Sequence, residues 1–420
     1  MLIRDATLAD GRVRDVRVRE GRIEAVGQHL PGEPTVDADG KLLLPGMVDV
    51  HVHFREPGAA HKETWTTGSQ SAAAGGVTTV VDQPNTDPPT VSGAAFDAKA
   101  ALAAESLVDY GLNGGVTPDW EPDSLFERPL FALGEVFLAD STGEMGIDRE
   151  LFADAVAAAA EHDCPVTVHA EDATLFDENA RERSEPDAWS AYRTAAAELA
   201  AVRDAAALAR EADTHLHVAH ASTPEAVDAA GPMSCEATAH HLFLSREDYD
   251  RLGTLGRMNP PLRSERRREA LFERLADGRV DIVASDHAPH TRAEKNADVW
   301  TAPSGVPGVE TTLPLLLAAA REERLGYERL RDATARRPAE IFGLERKGRV
   351  AEGYDADLVL VDPDDVTEIR ATDLHTSPGW TPFEGMDGVF PEWTMRRGEV
   401  VYRRDSDAFA DGGGHNVRAG

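Results

Sequence analysis

The stretch Asp49-Val50-His51-Val52-His53-Phe54-Arg55-Glu56-Pro57-Gly58 decides how the rest of the chain is read. Its first half is an apolar, strand-like run with histidines in alternate places. Side chains two apart on a strand share a face. His51 and His53 therefore point to one side and can hold one metal ion together. Arg55 follows in the same phase, which sets a cation beside that metal, suited to an anionic substrate. The plainer alternative is a half-buried strand with two hydrogen-bonded histidines, and the remainder of the chain weighs against it.

Outward from this strand, apolar runs alternate with stretches rich in Ala, Glu and Arg. The candidate strands are 47–54, 77–83, 110–116, 132–138, 165–170, 215–220, 234–240 and 281–285, with helices such as 198–212 and 264–277 between them. Eight strands alternating with helices predict an α/β fold, a (β/α)8 TIM-type barrel. A doubly wound open sheet is the main alternative, but no Gly-x-Gly-x-x-Gly turn follows an early strand. Short strands with Gly turns open the chain (1–8, 13–20, 22–26), and similar text returns at 348–350, 356–361 and 398–402. These two ends are expected to form one small β-domain, 1–46 plus 346–404, around a catalytic barrel, 47–345. Residues 405–420, rich in Gly and Asp, read as a mobile tail.

Composition narrows the classes. Asp and Glu number 75 against 43 Lys and Arg, a net charge of −32, and the acids are spread along the whole chain. Only Lys41, Lys62, Lys99, Lys295 and Lys347 are lysine; the other basic residues are arginine. Such a surface repels nucleic acid and anionic membranes and resembles proteins of salt-accumulating halophiles. No apolar run approaches the roughly 20 residues of a membrane span, and the N-terminus is too polar for a signal peptide. Cys164 and Cys235 sit at strand edges and read as buried free thiols. A cytoplasmic enzyme is expected.

Barrel enzymes carry their chemistry at the C-terminal ends of strands, and the polar residues fall there. The first strand ends in His51, His53 and Arg55, the second in Gln83-Pro84-Asn85-Thr86. The fourth carries Glu135 in an apolar run, where an unpaired buried carboxylate would be costly. The fifth, sixth and eighth end in His169, His220 and Asp286. Five strands delivering His-x-His, Glu, His, His and Asp to one rim point to a metal site. His217, out of phase with His220, is expected to pack against helices.

With these residues in view, the chain resembles the dihydroorotases of the amidohydrolase superfamily over roughly residues 40 to 400. The matching text includes Arg55-Glu-Pro-Gly58, Gln83-Pro-Asn-Thr86, Val168-His-Ala-Glu171, Asn259-Pro-Pro-Leu262, Ser285-Asp-His-Ala-Pro-His-Thr291, Gly305-Val-Pro-Gly308 and Thr381-Pro-Phe-Glu-Gly385. The resemblance implies metal-dependent, reversible cyclisation of N-carbamoyl-L-aspartate to (S)-dihydroorotate in pyrimidine biosynthesis, with allantoinase- or hydantoinase-type cyclic amidase as the rival activity. A non-catalytic partner of aspartate transcarbamoylase is a second rival. It implies that His51, His53 and Asp286 bind one ion, that His169 and His220 bind another, and that a carboxylate bridges them. One or two Zn2+ ions per subunit are expected, other divalent ions being chemically acceptable. Arg55, Asn85, Asn259 and His290 match substrate contacts, and Pro307-Gly308 a backbone segment that reads the ring. Asp286 is expected to shuttle the proton. Aspartate transcarbamoylase and a second copy of the chain are candidate protein partners.

One departure stands out. Many relatives bridge their metals with a carbamoylated lysine on the fourth strand. No lysine occurs between Lys99 and Lys295, and Glu135 stands in that place. Its carboxylate carbon is three bonds closer to the main chain. Either the ions sit nearer the strand, or the site favours one metal, or Asp140 takes part.

Overall fold

The eight expected barrel strands are all present in the computed structural model, which describes residues 1–139 and 145–419. We label them β1 (Met47–Val52), β2 (Val77–Asp82), β3 (Asp109–Leu112), β4 (Leu133–Phe137), β5 (Val166–His169), β6 (Leu216–Val218), β7 (Ser234–Thr238) and β8 (Ile282–Ala284). Consecutive strands pair in parallel as β1-β2-β3 and as β4 through β8. Two isolated parallel bridges join these sheets, Gly114 with Leu133 and Val52 with His287, so the strand order runs round in a ring. This is the TIM-type barrel with an added β-sheet. Every residue of all eight strands is buried. Helices cover the outside and side chains fill the inside, hence runs such as Val77-Thr-Thr-Val-Val-Asp82 in place of simple alternation.

Local signals agree with the elements they open. Thr64 caps the helix Trp65–Ala74, with Thr67 closing a capping box. Thr194 caps Ala195–Ala212, which ends on Asp213 in a left-handed conformation, φ +52°. Several expected strands are too long. The third stops at Leu112, and the seventh stops at Thr238, after which Ala239–Phe243 is helical. Residues 348–350 form no strand.

Strands from both chain ends make one nine-stranded sheet. Its junction is the antiparallel pair Leu42–Pro45 with Leu358–Val361. Ile3, Val16, Leu43, Leu358, Trp393 and Met395 form its own apolar cluster. Lys347 ties it to the barrel, its Nζ 2.8 Å from Asp109 on β3 and 2.5 Å from Asp357. The tail takes part in main-chain pairing. Ala408–Phe409 pairs with Glu399–Arg403, Tyr110 N donates to His415 O at 2.9 Å, and Val417 N donates to Tyr110 O at 2.8 Å. Main-chain pairing needs no apolar side chains, so composition could not reveal it. No helix among the described residues is long and apolar enough to cross a membrane.

Candidate metal centre

The rim at the C-terminal ends of the strands gathers His51, His53, Glu135, His169, His220 and Asp286, all buried. The ligand atoms of His51, His53 and Asp286 lie within 4.8 Å of one another, and so do those of His51, Glu135 and His220. His53 Nε2 is 3.1 Å from Asp286 Oδ1, and His51 Nε2 is 3.6 Å from the same oxygen. His169 completes the set, its Nδ1 2.9 Å from Glu135 Oε1 and 3.1 Å from His220 Nε2.

The backbone bends to deliver these side chains. Arg55, His220 and Asp286 have φ of +64°, +33° and +44°, a region residues with a Cβ seldom occupy. Such outliers cluster where function requires a fixed geometry. Strand phase does not extend past Val52 or Val218, so the phase argument for Arg55 and for His217 against His220 fails. On β4, Gly134 has φ +133°, and a Cβ there would meet Thr167 O at 2.2 Å. That glycine lets β4 approach β5 closely beside Glu135, whose N–H donates to Gln83 Oε1 at 2.8 Å.

Each of three ring orientations is fixed from behind. His51 Nδ1–H donates to Glu236 Oε1 at 2.6 Å, His53 Nδ1–H to Asn85 Oδ1 at 2.7 Å, and His169 Nε2–H to Glu171 Oε2 at 2.8 Å. Glu171 is held in turn by Arg193, Nε at 2.9 Å. With the outer nitrogen donating, a neutral ring turns its other lone pair inward. Those lone pairs face carboxylate oxygens, an arrangement that needs a cation between them. A proton can play that part: burial alone would lower His169, but Glu135 and Glu171 raise it to about 9. Burial also opposes the charge on His51, yet Glu236 and Glu135 hold it well above the usual histidine range. A divalent ion satisfies the same geometry, and four imidazoles with two carboxylates suit Zn2+ or a similar ion. Burial works against the Glu135 carboxylate, but His220 and His51 keep it well below the ordinary range; Asp286 is lowered too, burial being outweighed by His53 and His51.

A cavity opens beside this cluster, lined in part by Arg55, Asn85, Asn259, Ala288, Ser304 and Gly305. Arg55 donates from Nε to Pro289 O at 3.1 Å, and its Nη2 lies 3.1 Å from His290 Nε2. His290 thus sits beside Arg55. Gly308 N–H donates to His287 Nδ1 at 3.1 Å. A larger groove, about 570 Å3, opens at the other end of the barrel beside Pro165 and His215, away from the metal-site candidates. Asp140 lies outside the described residues.

Sequence reasoning overlooked Glu236. It accepts from His51, from His217 Nε2 at 3.2 Å and from His220 N at 3.1 Å. The cost argument made for Glu135, a lone carboxylate in a buried strand, applies equally to Glu236 and would have found it. His217 does not pack only against helices: its Nδ1 also meets Ser234 Oγ at 2.7 Å. His240 is fully enclosed, its Nε2 4.0 Å from Asp286 Oδ2 and without a hydrogen-bond partner.

Comparisons with known proteins agree with this picture. A model of the amidohydrolase family matches residues 42–401. The chain is 66% identical to a dihydroorotase of Halobacterium salinarum over 99% of each chain. It is 44% identical to a dihydroorotase of Methanosarcina acetivorans, covering 94% of this chain and 90% of that one. Among solved structures, an L-hydantoinase from Arthrobacter aurescens superposes with a TM-score of 0.90 at 29% identity, covering 98% of this chain and 96% of the other.

Proposed function

The chain belongs to the amidohydrolase family, and from that premise we propose that it is a dihydroorotase, interconverting N-carbamoyl-L-aspartate and (S)-dihydroorotate in pyrimidine biosynthesis. One observation carries the reading: a single cavity sets Arg55, Asn85 and Asn259 around His53, Glu135, His169, His220 and Asp286. A cyclic amide bearing a carboxylate calls for that combination, a guanidinium for the carboxylate and amides for the ring.

We assign His51, His53 and Asp286 to one Zn2+ and His169 and His220 to a second, with Glu135 between them. A bound divalent ion would supply Lewis-acid activation of water and of the amide carbonyl. The remaining work falls to the chain. Asp286, kept ionised by His53 and His51 despite its burial, takes the proton of the attacking water and hands it to the leaving ring nitrogen. Arg55 binds the substrate carboxylate, and Asn85 and Asn259 orient the ring amides. We further propose His290, beside Arg55, and the Pro307-Gly308 backbone as substrate contacts. We take 1–46 plus 346–404 as a β-domain built on the barrel at 47–345, place the enzyme in the cytoplasm, and count aspartate transcarbamoylase and a second copy of the chain as candidate partners.

The test is a parallel assay on dihydroorotate, allantoin and hydantoin, with the metal-loaded protein in concentrated KCl. A site built to bind a carboxylate should favour dihydroorotate by roughly 10²-fold or more in kcat/KM. Comparable or better turnover of either neutral ring would move the assignment to that amidase.

A further inference from the structure

The five lysines of this chain are of two kinds. Lys41, Lys62, Lys99 and Lys347 each form an ion pair with a carboxylate: Glu392, Glu294, Asp82, and Asp109 with Asp357. Lys295 pairs with none among the described residues. It is wholly buried at the end of the short helix Arg292–Lys295. Its Nζ donates to Arg257 O at 2.8 Å and to Pro303 O and Gly305 O at 3.0 Å each. Three acceptors around one nitrogen require three N–H bonds, which only the ammonium form has. Burial, Arg257 and Arg55 push against that charge. In a chain with 75 acidic residues, a buried cation without an anion is an expensive arrangement.

Its position indicates where an anion belongs. Ser304 and Gly305 line the cavity with Arg55 and Asn259. Lys295 holds the carbonyls on either side of Ser304, and Ser304 O accepts from His290 Nε2 at 2.9 Å. The ammonium thus stands one peptide behind the cavity wall. Arg55 also forms no ion pair with a carboxylate among the described residues, although it is buried. Two buried cations without a salt bridge among the described residues therefore stand at one cavity, Arg55 in its lining and Lys295 behind it, with Asp286, Asp82, Glu294 and Glu63 acting on Arg55 only at longer range.

We propose that Lys295 is a positioning residue that makes this cavity select an anionic ring over a neutral one: it fixes the Pro303–Gly305 wall through its carbonyls and leaves a positive charge for the substrate carboxylate to balance. The inference rests on the function proposed above and names what sets the substrate class.

The test compares wild type, Lys295→Met and Lys295→Gln, all metal-loaded. Gln keeps two N–H donors for the wall and lacks the charge. The probes are dihydroorotate turnover and competitive inhibition by orotate, an anionic ring, and by uracil, a neutral one. Both variants should raise KM for dihydroorotate and the orotate inhibition constant about tenfold, with uracil changed less than about twofold and kcat held within about threefold. Equal weakening of orotate and uracil, rescue by Gln, no change, or failure of both variants to fold would make Lys295 architectural and overturn the proposal. Wild type active on dihydroorotate with any of those results defeats this inference alone. Wild type inactive on dihydroorotate defeats the proposed function and this inference with it.

Discussion

Glu135 meets His220 through Oε1, 2.6 Å from Nε2. The same oxygen faces His169, while Oε2 turns to His51 at 3.2 Å. The carboxylate therefore presents one oxygen to each half of the ligand set, as a bridge must. A glutamate reaches less far than a carbamoylated lysine, and here the histidines come close to it.

Glu135→Gln should keep the volume and remove the charge. We expect the ion on His169 and His220 to be weakened more than the one on His51, His53 and Asp286, and Glu135→Ala to act more severely. Metal analysis after dialysis reads this directly. Full metal content and activity in both variants would show Glu135 to be a bystander.

Asp286→Asn should leave the fold intact and reduce kcat by about 10²–10⁴-fold, the usual share of a general acid–base group. More than roughly a tenth of wild-type kcat would rule out the shuttle role.

Glu236→Gln tests the support behind His51. An amide cannot accept from His51, His217 and the His220 N–H as the carboxylate does. Loss of such a partner typically costs 10–100-fold in metal affinity, and competition with a chelator should show a loss of about that size. Unchanged affinity would mean that packing alone orients His51.

The barrel was legible because its strands are buried on both faces and read as apolar runs, and the rim residues because they end such a run or, like Glu135, interrupt one. What escaped is what depends on neighbours distant in sequence. Glu236 carries the same signal of a lone carboxylate in a buried strand as Glu135, but its role as the support of His51, 185 positions away, shows only in the fold. His217 was misjudged because strand phase was carried past Val218, where the backbone leaves the strand. Lys295 gave no signal, since its partners are main-chain carbonyls.

Folding should depend on salt. With a net charge of −32, self-repulsion is well screened only when the Debye length falls to about 3 Å, near molar salt. The thermal midpoint should rise from dilute buffer to molar KCl. A midpoint just as high in dilute buffer would contradict the halophilic reading.

The most direct measurement is dihydroorotate turnover by metal-free protein as Zn2+ is added back in bicarbonate-free buffer. A centre bridged by Glu135 needs no carbon dioxide, so activity should rise with bound metal and reach the level seen with bicarbonate. No turnover at full metal content, or recovery only when bicarbonate is supplied, would contradict the account.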